Sequence, residues 1–188
     1  MNTDFEEKKE TKNLVQLLFK EHKKKFYALF SLIILILILI ISAKEISERK
    51  NIKISEDFNS AKIYLENNNE EKAKQLLINI IQHKNKFYSP LSLNIIIEKK
   101  LANYEDILSF FEKIQNIKKL DQETKDLYLL KKAYFISEEG SEIEILNTLN
   151  PLIIKNSTLK NQANLFMKNY YISKGEKEKA KEFSNKIK

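Results

Sequence analysis

Few side chains in this chain are equipped for chemistry. Of its 188 residues none is cysteine, and only His22 and His83 are histidine. A thiol nucleophile, a disulfide and a cysteine-ligated zinc are excluded, and a histidine metal centre or catalytic triad has almost no material to draw on. His83 follows an apolar run with no second histidine nearby, so it reads as a partly exposed helix residue. The acidic pairs Glu70-Glu71 and Glu138-Glu139 sit beside expected turns. Carboxylates there favour the positive N-terminal end of the next helix, a simpler role than general acid catalysis. Tyr64, Tyr134, Tyr170 and Tyr171 fall where helices are expected to pack, which suits a core better than a ligand cage. Two Gly and two Pro leave no glycine-rich phosphate loop and disfavour a turn-rich all-β fold. The expectation is therefore no catalytic residue, no cofactor and no metal, with an enzyme the least favoured class.

The elements that carry these residues begin with an apolar stretch. Residues 26–43 (FYALFSLIILILILIISA) hold no charge, and residues 32–41 are only Leu and Ile. As a helix the stretch would be about 27 Å long, close to the roughly 30 Å hydrocarbon core of a bilayer. Phe26, Leu35 and Ile41 mark its start, middle and end as a membrane anchor. A cleaved signal peptide, cut after Ala43, is the competing reading. It is disfavoured because 25 residues precede a run longer than the 7–15 residues usual for such signals. Lys23, Lys24 and Lys25 lie directly before the stretch. Residues 11–25 carry five Lys, and residues 44–58 carry Lys44, Arg49, Lys50 and Lys53. This balance predicts a cytoplasmic N-terminus and a C-terminal domain on the other side. Leu14, Val15, Leu17, Leu18 and Phe19, followed by Lys20, form an amphipathic segment that suits either the cytoplasmic leaflet or a cytosolic partner. The stretch has no Gly and no small-xxx-small spacing, so close helix dimerisation through it is not expected.

Beyond residue 43 there is room for one ordinary domain. That part holds 26 of the 33 basic residues and 21 of the 26 acidic ones, a net of +5 with the signs interspersed. Such a surface is solvated and lacks the clustered basic stripe of a nucleic-acid binder. The heavy use of Lys, Asn and Ile reads as compositional bias from AT-rich coding.

One theme recurs along the domain: two amphipathic runs separated by a short polar turn. Residues 65–81 (LENNNEEKAKQLLINII), 101–114 (LANYEDILSFFEKI), 137–153 (SEEGSEIEILNTLNPLI) and 173–187 (SKGEKEKAKEFSNKI) align. Ala73, Ile107, Ile145 and Ala180 enter the second run of each unit, at spacings of 34, 38 and 35. A period near 34 with helix–turn–helix content is the tetratricopeptide signature. Asn68, Ala102, Gly140 and Gly175 occupy the turn, where a left-handed residue is often needed; Gly gives it freely, Asn tolerates it, and Ala102 implies a different turn. The second runs place Leu76, Leu77, Ile80, Ile81, Leu108, Phe111, Ile114, Leu146, Leu149 and Leu152 on one face. The first runs supply Phe58, Ala61, Tyr64 and Leu65, then Leu91, Leu93 and residues 95–97, then Leu127, Leu130, Tyr134 and Phe135, and finally Phe166, Met167, Tyr170 and Tyr171. Pro90 suits a helix start, Asp121 and Ser157 or Thr158 suit caps, and Pro151 should kink or shorten its helix. The fold expected is all-α: a single transmembrane helix, then a short tetratricopeptide-repeat-like right-handed solenoid of about four helix pairs.

The layout resembles the YfgM-like family, ancillary SecYEG translocon subunits of proteobacteria, and among them the alphaproteobacterial members. The resemblance rests on an ordered set of features: the acidic-basic start at residues 5–9, the amphipathic segment at 13–25, the span, a charged helix, and repeat units from Asp57 onward. Residues 120–136 and 161–187 resemble the family's final units. The span is poorer in small residues than is common there, no Trp follows it, and Ile, Lys and Asn replace repeat Ala. The resemblance implies a cytoplasmic tail over residues 1–25, an inner-membrane span over 26–43, a charged juxtamembrane helix over 44–57 and a periplasmic repeat domain over 58–188. It also implies partners: the SecYEG channel, a membrane-anchored periplasmic chaperone and newly exported chains. A scaffold for envelope assembly or cell division is the alternative that the same architecture allows.

Overall fold

The computed structural model describes residues 23–155 and 157–187, with the side chain of Phe26 outside that description. The expectations placed on residues 5–9 and 14–19 and on His22 fall outside the described residues. Among the described residues every regular element is an α-helix. The chain divides between Ile52 and Lys53 into two units.

The first unit holds most of helix α1, which runs from Lys23 to Glu66 without a break. Lys23, Lys24 and Lys25 open it and are exposed. From Leu32 to Ile41 every side chain is 42–67% exposed, so this is not the buried core helix of a soluble domain. The helix is long and apolar enough to cross a membrane. After Ala43 the face turns polar. Lys44 pairs with Glu48 at 3.8 Å and Arg49 with Glu45 at 2.8 Å, both at the i, i+4 spacing that supports an exposed helix by a few tenths of a kcal/mol.

The second unit takes the end of α1 and seven more helices: α2 (Glu70–Gln82), α3 (Tyr88–Glu98), α4 (Tyr104–Gln115), α5 (Gln122–Ile136), α6 (Glu142–Ile154), α7 (Lys160–Ser173) and α8 (Lys177–Ser184). From α2 onward each helix packs on the next in sequence, and α2 also meets α4. Ile54, in the stretch read as juxtamembrane, is already buried at 3% exposure. The core has two sections. One gathers Ala61, Leu77, Leu93, Ile107, Phe111, Ile114 and Tyr128; the other gathers Leu130, Ile145, Leu149, Leu152, Met167, Tyr171 and Phe183. They meet in α5, where Phe135 packs against both.

The second helix of each pair buries the face its periodicity marks. Ala73, Ile107, Ile145 and Ala180 are 0, 4, 0 and 5% exposed. The first helices depart further from the pattern. Leu91, Leu127 and Tyr134, expected in the core, are 46, 39 and 58% exposed, because Leu93, Tyr128 and Leu130 take the inward positions instead.

The turns show why the chain reverses where it does. At Asn68 (φ 56°), Lys100 (φ 51°) and Gly175 (φ 79°) the backbone is left-handed. At each, the following N–H reaches back to the fifth preceding carbonyl: Asn69 to Tyr64, Leu101 to Ile96 and Glu176 to Tyr171, at 2.8–2.9 Å. This is the Schellman closure, and it satisfies carbonyls left over at a helix end. The reading of Gly140 as a left-handed turn position is corrected, and the second pair has the different turn that Ala102 implies. In the second pair Lys100 takes that role, and Leu101 and Ala102 extend the turn beyond it, with Leu101 buried. Gly140 is not left-handed. It is required by crowding: its N–H lies 2.6 Å from the Ile136 carbonyl, and a Cβ there would meet that oxygen at 2.6 Å.

Side-chain caps begin four of the helices. Asn69, Asn103 and Asp121 accept the N–H of the third helical residue, from Lys72, Asp106 and Thr124. Ser141 and Glu144 form a reciprocal capping box. Helix α7 starts one residue later than read: Leu159 is its N-cap, and Ser157 Oγ accepts the Leu159 N–H at 3.2 Å. Pro151 does not end α6, which continues to Ile154.

Candidate protein-binding face

The first helices of the last three pairs, α3, α5 and α7, touch one another through side chains one repeat apart. Tyr128 on α5 donates its hydroxyl hydrogen to the Pro90 carbonyl of α3 at 2.6 Å. Lys131, one turn further, donates to Asn94 Oδ1 at 2.8 Å. On the other side of α5, Tyr134 meets Phe166 of α7 edge-on, ring centres 4.5 Å apart. Leu127, Lys131 and Tyr134 share one stripe of α5, since residues three and four apart are neighbours on a helix.

Burial sets the electrostatics of this seam. It pushes the Tyr128 hydroxyl up to about 12, a rise that a hydrogen bond from Asn94 partly opposes. It holds the half-buried Lys131 amine below the usual lysine range. Between α5 and α7 lies a hollow of about 300 Å³, lined by Tyr134, Ser137, Phe166, Asn169, Tyr170 and Lys174, among others. A second hollow of about 290 Å³ is lined by Asp57, Ser60, Tyr64, Lys72, Gln75 and Leu76, with the Lys72 ammonium 5.3 Å from the Tyr64 ring.

Two polar nodes tie the later helices together and are structural in character. Asp126, 8% exposed, accepts from Gln122 at 2.7 Å and from the Ser157 hydroxyl, linking α5 to the approach of α7. Glu142 accepts from Lys179 at 2.9 Å and from the Tyr171 hydroxyl at 2.8 Å, and Lys179 also pairs with Glu176 at 2.8 Å. These bonds hold the Glu142 carboxyl below its ordinary value and the Lys179 amine above its own, Glu176 being the larger cause for the lysine. Burial, then Glu142, raises the Tyr171 hydroxyl.

Comparison with family models, with curated proteins and with solved structures found no match to this chain.

The residues singled out in the sequence are not brought to one point. Lys23, Lys24, Lys25, Leu35 and Ile41 lie along α1; Asn68, Ala73, Ile107, Gly140, Ile145, Gly175 and Ala180 lie at turns or under the second helices. His83 caps the end of α2 and is exposed. Among the described residues no group of three or more His, Cys, Asp or Glu could hold a metal. Asn94, Tyr128 and Lys131 were not singled out. The signal that could have found them is the period itself: Pro90–Tyr128 and Asn94–Lys131 are 38 and 37 residues apart.

Proposed function

We propose that this chain is a membrane-anchored adaptor that holds other proteins on a short tetratricopeptide-like solenoid. Helix α1 is the anchor, with residues 1–25 in the cytoplasm and the helical unit in the periplasm of a bacterial cell. The reading places it as an accessory subunit at the SecYEG translocon, linking the channel to a periplasmic chaperone and to chains emerging from it. No cofactor and no chemical step belong to this role.

The observation that carries the reading is the pairing of one exposed apolar helix with helix pairs whose equivalent residues, Ala73, Ile107, Ile145 and Ala180, are all buried. A single helix pair cannot bury its apolar face, so pairs stack and share a core, and a row of first helices is left facing outward. That row carries Leu127, Tyr134 and Leu165 exposed, and Tyr134 lines a hollow of about 300 Å³. Aromatic residues in such places anchor protein partners.

The test is in-cell crosslinking of a tagged full-length copy, solubilisation in mild detergent and identification of what copurifies. SecYEG subunits together with a periplasmic chaperone are the expected result. Division or cell-wall proteins with no translocon component would replace this reading with an envelope scaffold.

A further inference from the structure

Among the described residues Lys131 is a fixed cation with no carboxylate paired to it. An ammonium has three N–H donors, and one of them goes to Asn94 Oδ1. The ammonium also lies 5.0 Å from the Tyr128 ring, whose hydroxyl is anchored on the Pro90 carbonyl. The charge is therefore set in place by a network that reaches into the core. Among the described residues no carboxylate forms an ion pair with it. Other lysines differ: Lys132 pairs with Glu112, and Lys179 pairs with Glu142 and Glu176. A partly desolvated ammonium held by a neutral amide and by the face of the Tyr128 ring, 5.0 Å away, still has no carboxylate partner, and a carboxylate would complete it.

Apolar surface adjoins the charge. Leu127 and Tyr134 lie one turn before and after Lys131 on α5, 39 and 58% exposed. Leu91, 46% exposed, lies one turn before Asn94 on α3. The hollow at Tyr134, Phe166 and Tyr170 opens on the far side of α5. Packed helices lie about 8–10 Å apart, and an extended peptide advances about 3.3 Å per residue, so about three peptide residues span the two seams. We propose that the α3–α5 seam binds a side-chain carboxylate of an extended partner segment at Lys131, and that an apolar side chain about three residues away enters the hollow between α5 and α7. This names the partner chemistry for the protein-binding face and rests on that reading. The net +5 beyond residue 43 favours the approach of such an acidic segment.

The test uses the full chain in detergent or nanodiscs and a short fluorescent peptide with an amidated C-terminus. The peptide carries one Glu and one Phe three residues apart in a Ser/Gly background, and binding is read by anisotropy at low salt. Changing the peptide's Glu to Gln should weaken binding by about tenfold or more, the size expected of a charge-assisted hydrogen bond. Lys131→Met should cause the same loss and abolish the Glu/Gln difference, whereas Lys131→Arg should keep it. Tyr134→Ser should weaken both peptides equally. Glu and Gln peptides that bind alike, or neither binding, would overturn the assignment without any variant having to fold. So would a Gln peptide with a free C-terminus that binds as tightly as the Glu peptide, since the site would then take chain ends. Recovery of translocon partners alongside equal Glu and Gln binding would sink the site and leave the adaptor role. Glu-selective binding with no partner recovered would do the reverse.

Discussion

Replacing Tyr128 with Phe removes a single oxygen from the joint between α3 and α5. The side chain is 3% exposed, and its hydroxyl donates to the buried Pro90 carbonyl at 2.6 Å. The ring keeps its contact with Phe111, 6.4 Å between centres, so almost the whole effect is the lost bond. Loss of one buried hydrogen bond of this kind costs about 1–2 kcal/mol. The second unit, residues 53–188, has 136 residues by that numbering. At roughly 2.1 cal/mol/K per residue its unfolding entropy is about 0.29 kcal/mol/K, so Tm should fall by about 3–7 °C. The assay is a fixed-rate thermal scan of the full chain in mild detergent, followed by helical circular dichroism. A second readout is tyrosine ionisation. Tyr128 is pushed up to about 12, so Tyr128→Phe should remove one phenol ionisation from the region well above the ordinary range. For a phenol raised above its ordinary value near 10, the contribution to stability is full below that value and is lost as pH climbs toward 12. A Tyr128→Phe chain that melts within about 1 °C of the natural one would refute the reasoning.

Other expectations follow from the turns, the ion pairs and α1. Gly140→Ala should lower Tm because the new Cβ meets the Ile136 carbonyl at 2.6 Å, and Gly175→Ala should cost about 1 kcal/mol because φ there is +79°; thermal scans of both check this. Asn68→Gly, at φ 56°, should be neutral or slightly stabilising in the same scans. The Glu142 carboxyl is held low by Lys179 and Tyr171, so its stabilisation is present above the ordinary carboxylate range and lost as pH falls through it; Glu142→Gln should flatten the acid limb of a Tm–pH curve. Leu35→Arg should impair insertion by about 3–4 kcal/mol, visible as a larger share of the chain released on carbonate extraction of membranes.

Much of the architecture is legible because it is periodic. The helix order, the apolar faces of the second helices and the shared burial of Ala73, Ile107, Ile145 and Ala180 all follow from a spacing that can be counted. The failures have physical causes. A left-handed residue was sought at the glycines, but Lys100 accepts that conformation where the helix must end, and Gly140 serves a close approach instead. Leu127 and Tyr134 read as core because apolar type was taken for inward direction; Tyr128, a residue away from Leu127, is the one that turns in. The core also holds Ile117 and Leu120, which lie in the connection between α4 and α5 and have no place in a repeat template. The α3–α5 seam was illegible in local windows. Lys131 is one lysine among many, and only its neighbour 37 residues back distinguishes it.

The two-section core has a consequence for the order in which the chain acquires structure. Residues 58–135 contain the partners of the first section, and α6, α7 and α8 are not among them. Contacts between successive helices are short in sequence, which favours rapid, stepwise formation over a late global search. A chain delivered N-terminus first can therefore close its first section while the last three helices are still absent. Helix α5, with Tyr128 in one section and Leu130 in the other, is the template on which the second half then grows.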